Sequence, residues 1–149
     1  MGEQLGLRDP NVFKPLWVVD FPLLEKDETS NNFHAIHHPF TSPKNTAEFL
    51  SNPEDAKALH YDLVLNGIEL GSGSQRINDP KLQKDVLSKW GLSESEINER
   101  FGWFIEALSY GSPQHAGFAV GIDRFIACLL YTSDAADEGL GVDLGGRRI

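Results

Sequence analysis

Cysteine occurs once in the 149 residues, at Cys128, and methionine only at Met1. A single thiol excludes an intrachain disulfide and any zinc site built on several cysteines. It suits a reducing compartment, the cytoplasm. Long apolar runs are also missing. No stretch approaches the roughly 20 residues that span a bilayer, so no membrane association is expected. Met1 to Arg8 lacks the basic-then-apolar order of a secretory leader. Positive charge is scarce, with 13 Lys and Arg against 22 Asp and Glu and a net charge of −9. Free-standing nucleic-acid binders are usually basic, because neutralising phosphates supplies most of their affinity. This chain is therefore better suited to holding small molecules than to serving as the main platform for a nucleic acid.

What is present is an ordinary globular balance, 40% hydrophobic and 23% charged, enough for one domain with a core. Leu16 to Leu24 (LWVVDFPLL) reads as a buried strand stopped by Pro22, followed by a charged turn over Glu25 to Glu28. Phe33 to Phe40 is β-like. Thr41 to Asp55 is a polar loop with a short helical turn near Ala47 to Leu50. Leu59 to Asn66 and Ile68 to Ile77 are strands joined by Asn66-Gly67, a two-residue hairpin signal. Pro80 to Trp90 places Leu82, Val86, Leu87 and Trp90 on one helical face, with Gly91 as the stop. Ser93 and Glu96 form a capping box before the stripe Ile97, Phe101, Phe104, Ile105 and Leu108. Gly111-Ser112-Pro113 breaks that helix. A short strand over Gly117 to Val120 and a buried helix over Ile122 to Leu130 close the pattern. Regular βαβ alternation is absent, so the expected class is α+β, an antiparallel β-sheet with helices packed on one face.

Three constellations can carry chemistry. His37-His38-Pro39-Phe40 can bind a carboxylate or a metal, although neighbours on a strand point to opposite faces and need not share a ligand. The same pattern also fits one core and one surface histidine. Asp62 and Glu69 lie on the two arms of the hairpin and can meet across it, where a magnesium ion would relieve their repulsion. Between Glu69 and Arg76, the small residues Gly71 to Ser74 leave room for a ligand against the backbone. Ser72, Ser74 and Arg76 share a face, and Arg76 can grip a carboxylate with two hydrogen bonds. A glycine-rich strand with solvated charges fits equally. Last, Gly121-Ile122-Asp123-Arg124 puts an arginine in the first turn of a helix, a place suited to it when an anion is bound; a surface pair with Asp123 or Glu106 is the plainer alternative.

Taken together, LWVVDFPLLE at Leu16 to Glu25, HHPFTSPK at His37 to Lys44, YDLVLNGIELGSGSQRI at Tyr61 to Ile77 and FGWFIEALSYGSPQHAGFAVGIDR at Phe101 to Arg124 resemble the class II aminoacyl-tRNA synthetases, and among them the aspartate-specific enzymes of bacterial type. The likeness runs from about Leu5 to Leu130. It implies an aspartate–tRNA ligase that activates L-aspartate with ATP and Mg2+ and passes it to tRNA. It assigns His37, with His38 beside it, Ser74 and Arg76 to the amino acid. Asp62 and Glu69 fall to magnesium and the ATP phosphates, and Gly121, Ile122, Asp123 and Arg124 to ATP. Arg124 and Glu69 are the expected catalytic groups. A homodimer is implied through a motif of the family that would precede Met1, as would the motif whose arginine grips the α-phosphate. The expectation is thus a truncated catalytic domain over residues 1–130, inactive by itself. Residues 131–149, with four glycines, depart from the family and read as a foreign or disordered tail. The alternatives are a free-standing domain that binds ATP or aspartate, and an amide-forming paralogue of the same core.

Overall fold

The computed structural model describes residues 5–6, 12–26 and 33–130. The charged turn after Lys26 and the tail over 131–149 lie outside them. The elements run β1 (Pro15–Val19), β2 (Leu24–Lys26), β3 (Phe33–Ala35), α1 (Thr46–Ser51), β4 (His60–Leu65), β5 (Ile68–Gln75), α2 (Pro80–Lys89), α3 (Glu94–Ser109), β6 (Ala116–Val120) and α4 (Ile122–Leu130). The main sheet has the order β1-β4-β5-β6 and every pairing in it is antiparallel. β2 and β3 form a separate hairpin. An antiparallel sheet with helices is what the residue pattern predicts.

Local chemistry accounts for the main turns. Asn66 and Gly67 both have positive φ, 50° and 85°, the conformation a two-residue hairpin needs to follow strand twist. Asp79 caps α2 by accepting from the amides of Lys81 and Leu82, and Gly91 ends it at φ 93°. The Ser93–Glu96 capping box opens α3, with both reciprocal bonds formed. The principal core joins Leu23, Leu24, Phe49, Ala56, Ala58, Ile77 and Val86. It ties the small hairpin, α1 and α2 together beyond the end of β5. α4 instead lies on the sheet, its Cys128 against Leu65 and Leu70.

Three expectations are corrected. The strand beginning at Leu16 is not buried and does not reach Leu24. All five β1 residues are exposed, because β1 is an edge strand paired only with β4. It stops where Asp20 turns left-handed at φ 61°, a conformation the short Asp side chain tolerates. The helix over Ile122 to Leu130 forms, but only Cys128 of it is buried; Ile122 and Leu130 are 62% and 71% exposed. The β-like run from Phe33 ends at Ala35.

The hairpin register positions the site. Val64 pairs with Glu69, but Leu63 pairs with Gly71 and Asp62 with Ser72, so Leu70 is an extra residue in β5. In an unbroken strand Glu69 would share its face with Gly71, Gly73 and Gln75. The bulge shifts the alternation by one and carries Ser72 and Ser74 to the face of Glu69, His60 and Asp62. The other face holds Trp17, Tyr61 and Phe118, with ring centroids 5.6–6.2 Å apart.

Candidate functional site

A file of charged and imidazole groups occupies the Ser72–Ser74 face. At one end, Arg76 is half-buried, and among the described residues no carboxylate pairs with it. Its guanidinium lies against the His38 ring, with Nη1 3.0 Å from Nδ1. The main chain fixes both. The amide of Arg76 donates to the His115 carbonyl at 2.9 Å. The amide of Phe40 donates to His38 Nδ1 at 3.2 Å. Nδ1 thus has amide and guanidinium donors before it, Nε2 lies 3.3 Å from the hydroxyl of fully buried Ser74, and Arg76 Nη1 is in close contact with Nε2 as well. Burial holds the His38 pKa down to about 4, helped by the Arg76 charge and then by His37.

The row of rings continues through His37, which is exposed, to His60. His37 lies 4.4 Å from His38 and 4.1 Å from His60, centroid to centroid. Burial also lowers the pKa of His37, with His60 and Arg76 acting in the same direction while Asp62 and Glu69 oppose them. The charges of Asp62, Glu69 and Arg76 thus all reach this one ring. His60 is buried, and its Nε2 stands 2.9 Å from Asp62 Oδ1. The pair lacks full hydrogen-bond alignment, so Asp62 Oδ1 is buried without a hydrogen-bond partner among the described residues.

At the far end, Arg124 Nη1 lies 3.7 Å from Glu69 Oε1 and 3.4 Å from the Glu69 carbonyl. Gly121 enters α4 with its amide donating to Leu70 O at 2.8 Å, which fixes the first turn beside the bulge. Ile122 opens α4, and Asp123 supplies the acidic residue of its first turn.

The structure therefore brings His37, His38, Ser74 and Arg76 together at one end. Glu69 and Arg124 meet at the other, with Asp62 near the middle. Asp62 and Glu69 share a face without standing opposite each other, because the hairpin register puts Val64 across from Glu69 and Ser72 across from Asp62. Among the described residues, no group of three or more His, Cys, Asp or Glu side chains is arranged to hold a metal. Magnesium needs less than that, one or two carboxylates plus phosphate oxygens, and the unsatisfied oxygen of Asp62 fits such a role.

Gly71 and Gly73 serve a different purpose from the one expected. A Cβ on Gly73 would meet Gly117 O at 2.2 Å and the Tyr61 ring at 2.6 Å, and one on Gly71 would meet Ala119 O at 2.6 Å. These glycines admit the aromatic rings and β6 on the opposite face, while the serines between them line the site.

His60 escaped the sequence reading because a single histidine in a strand matches no motif. Its i, i+2 spacing to Asp62, which puts both on one face, was the available signal. Gln83 was missed as well. It is fully buried and donates to the Pro39 carbonyl at 2.8 Å, so α2 anchors the loop that presents His37 and His38. Beside Arg76 and His38 a cavity of about 710 Å3 opens toward α3, lined by Phe40, Arg100, Phe101, Trp103 and His115.

Comparison with known proteins shows the family. Residues 2–137 match the family model described as tRNA synthetases class II (D, K and N). The chain is 51% identical over 129 residues to an aspartate–tRNA ligase of Azobacteroides pseudotrichonymphae, an alignment that covers 85% of this chain and 22% of that protein. It thus spans about a fifth of that relative's length. Among solved structures, it resembles the aspartyl-tRNA synthetase of Entamoeba histolytica with a TM-score of 0.57 at 24% identity, over 88% of this chain and 22% of that one. It also resembles the asparaginyl-tRNA synthetase of the same organism, in complex with asparaginyl-adenylate, with a TM-score of 0.56 at 22% identity, over 78% and 22% of the two chains. The last two likenesses concern the fold. No described helix is long and apolar enough to cross a membrane.

Proposed function

The chain belongs to the class II tRNA synthetases of the D, K and N type, and on that premise we propose that it forms the aspartate and ATP-phosphate side of a cytoplasmic aspartate–tRNA ligase. One observation carries the proposal. Arg76 is a half-buried cation with a neutral histidine, and no carboxylate among the described residues, as its companion. A desolvated guanidinium is stable when an anion reaches it. A ligand carboxylate can do so with two parallel hydrogen bonds.

In this reading Arg76 takes the side-chain carboxylate of L-aspartate. Ser74 lines the pocket, His37 contacts the amino acid and neutral His38 backs the guanidinium. Asp62 and Glu69 hold Mg2+ together with the ATP phosphates, and the ion supplies neutralisation of phosphate charge when bound. Gly121, Ile122 and Asp123 border the nucleotide, and Arg124 meets the γ-phosphate. To do that, Arg124 exchanges its present contact with Glu69 for a phosphate oxygen, which frees the Glu69 carboxylate.

The reaction so arranged is attack of the aspartate α-carboxylate on the α-phosphorus of ATP. An acyl–phosphate bond forms and pyrophosphate leaves. The aspartyl group then passes to the terminal ribose of tRNA. No protein nucleophile is needed, and the contribution of these residues is positioning and charge neutralisation. A related fold carries an aminoacyl-adenylate, the same chemical class of intermediate.

The test is calorimetric titration of the chain with L-aspartate and with Mg·ATP, alongside aspartate-dependent pyrophosphate exchange. Binding of both ligands without exchange is expected, since no residue here is assigned to the α-phosphate. Absence of heat with either ligand from a folded chain would overturn the proposal.

A further inference from the structure

His60 sits where the two ends of the site meet, and none of the roles assigned above uses it. Its ring is buried, with its centroid 4.1 Å from that of His37 at a tilt of 43° on one side and 4.6 Å from Phe21, edge-on, on the other. Its Nε2 lies 2.9 Å from Asp62 Oδ1 and 3.5 Å from the Ser72 hydroxyl. Its Nδ1 has no partner among the described residues.

Such an arrangement selects one tautomer. With the proton on Nδ1, the Nε2 lone pair would face the carboxylate of Asp62 inside a buried site. With the proton on Nε2, an N–H faces that carboxylate and only a weak acceptor is left unpaired. The ring is then wedged between His37 and Phe21, with its N–H edge toward Asp62.

We infer that His60 is a positioning residue: its Nε2–H orients the Asp62 carboxylate, its face sets the plane of His37, and it thereby links the phosphate end of the site to the amino-acid end. The inference rests on the reading above in so far as Asp62 serves the metal–phosphate end.

Two variants separate the two contacts. His60→Phe keeps the packed ring and removes the N–H. His60→Gln keeps a donor in place of Nε2 and removes the ring. The first readout needs no ligand: NMR of the Asp62 carboxylate carbon and the His37 ring nitrogens. His60→Phe should shift the Asp62 signal and spare His37, and His60→Gln should do the reverse. The second readout is the affinity for Mn2+ with ATP, measured by electron paramagnetic resonance. It should weaken several-fold in His60→Phe, through loss of the polar N–H that stands 2.9 Å from the carboxylate, and recover to within about threefold in His60→Gln.

Equal shifts of both signals in both variants would mean that His60 only fills space, and no shift in either would mean that it orients neither neighbour. Either result overturns the inference. Asp62→Asn guards the underlying reading. If it leaves Mn2+ affinity unchanged while the NMR split holds, the metal assignment fails and the positioning role stands. If His60→Phe does not fold, the parent and His60→Gln still decide: an unmoved His37 signal in His60→Gln refutes the link.

Discussion

Replacing Gly73 with alanine adds one methyl group where β5 and β6 approach most closely. That Cβ would lie 2.2 Å from Gly117 O, 2.6 Å from Tyr61 Cε2 and 3.0 Å from Phe118 Cα. Two of these atoms are main chain and the third belongs to a ring clamped between Trp17 and Phe118, with its hydroxyl bonded to Gly117 O at 3.0 Å. None is the loose end of a flexible side chain. To restore ordinary contact, β6 must retreat by about 1 Å, which stretches the ladder between Gly71–Gln75 and Ala116–Val120. Overpacking of this kind costs about 1–3 kcal/mol, with weakened ladder bonds adding to it. The smaller entropy of an unfolded chain with alanine offsets roughly 0.4–1 kcal/mol. The net loss is about 2 kcal/mol, a fall of roughly 4–8 °C in Tm, read by circular dichroism in thermal and urea unfolding. Gly102→Ala is the control. It lies inside α3 with nothing within 4 Å of its would-be Cβ, so the same change should stabilise by about 0.5–1 kcal/mol. A Gly73→Ala chain as stable as the parent would refute the claim that this glycine is required by packing.

Three further outcomes follow from particular contacts. Because His38 is held near 4, well below the ordinary histidine value, the unfolded chain takes up its proton first; stability should be full above about pH 6.5 and fall as pH drops toward about 4, by on the order of 1–2 kcal/mol after allowance for partial exposure, with His38→Gln flattening that slope in urea titrations. Gln83→Met should cost about 1–3 kcal/mol, because it leaves the Pro39 carbonyl buried without its donor, and hydrogen exchange should quicken at His37 and His38 beyond the global change. Ser93→Ala removes the two bonds of its hydroxyl, one accepted from the Glu96 amide and one donated to Glu96 Oε2, and leaves the Ser93 amide on Glu96 Oε2; a loss of about 1 kcal/mol is expected by thermal unfolding.

The parts of this structure governed by short-range chemistry were legible in the chain. Asn66-Gly67, Gly91 and the Ser93–Glu96 box each act within a few residues, and each appears where its residues stand. The grouping of His37, His38, Ser74 and Arg76 came through the family resemblance alone, because the residue pattern by itself left the two histidines free to point to opposite faces. The bulge at Leu70 was not legible, because an extra residue in one strand leaves no periodic trace when the positions that follow it are glycine and serine. It nonetheless decides that Ser72 and Ser74 look toward Asp62. Burial failed at β1 and α4 for another reason. An apolar pattern states which face avoids water, whereas exposure depends on what lies against it, and here β1 is an edge and α4 meets the sheet through Cys128.

The role of Arg76 is tested most directly by the ratio of L-aspartate to L-asparagine affinity, measured by calorimetry on the parent chain and on Arg76→Gln. Losing a two-point charged hydrogen-bond pair is worth about 1.5–3 kcal/mol, or roughly 10- to 150-fold. The parent should prefer aspartate by that order, and the variant should bind the two amino acids within about threefold of each other. A parent that does not discriminate, or a variant that keeps the preference, would contradict the assignment of Arg76 as the seat of the ligand carboxylate.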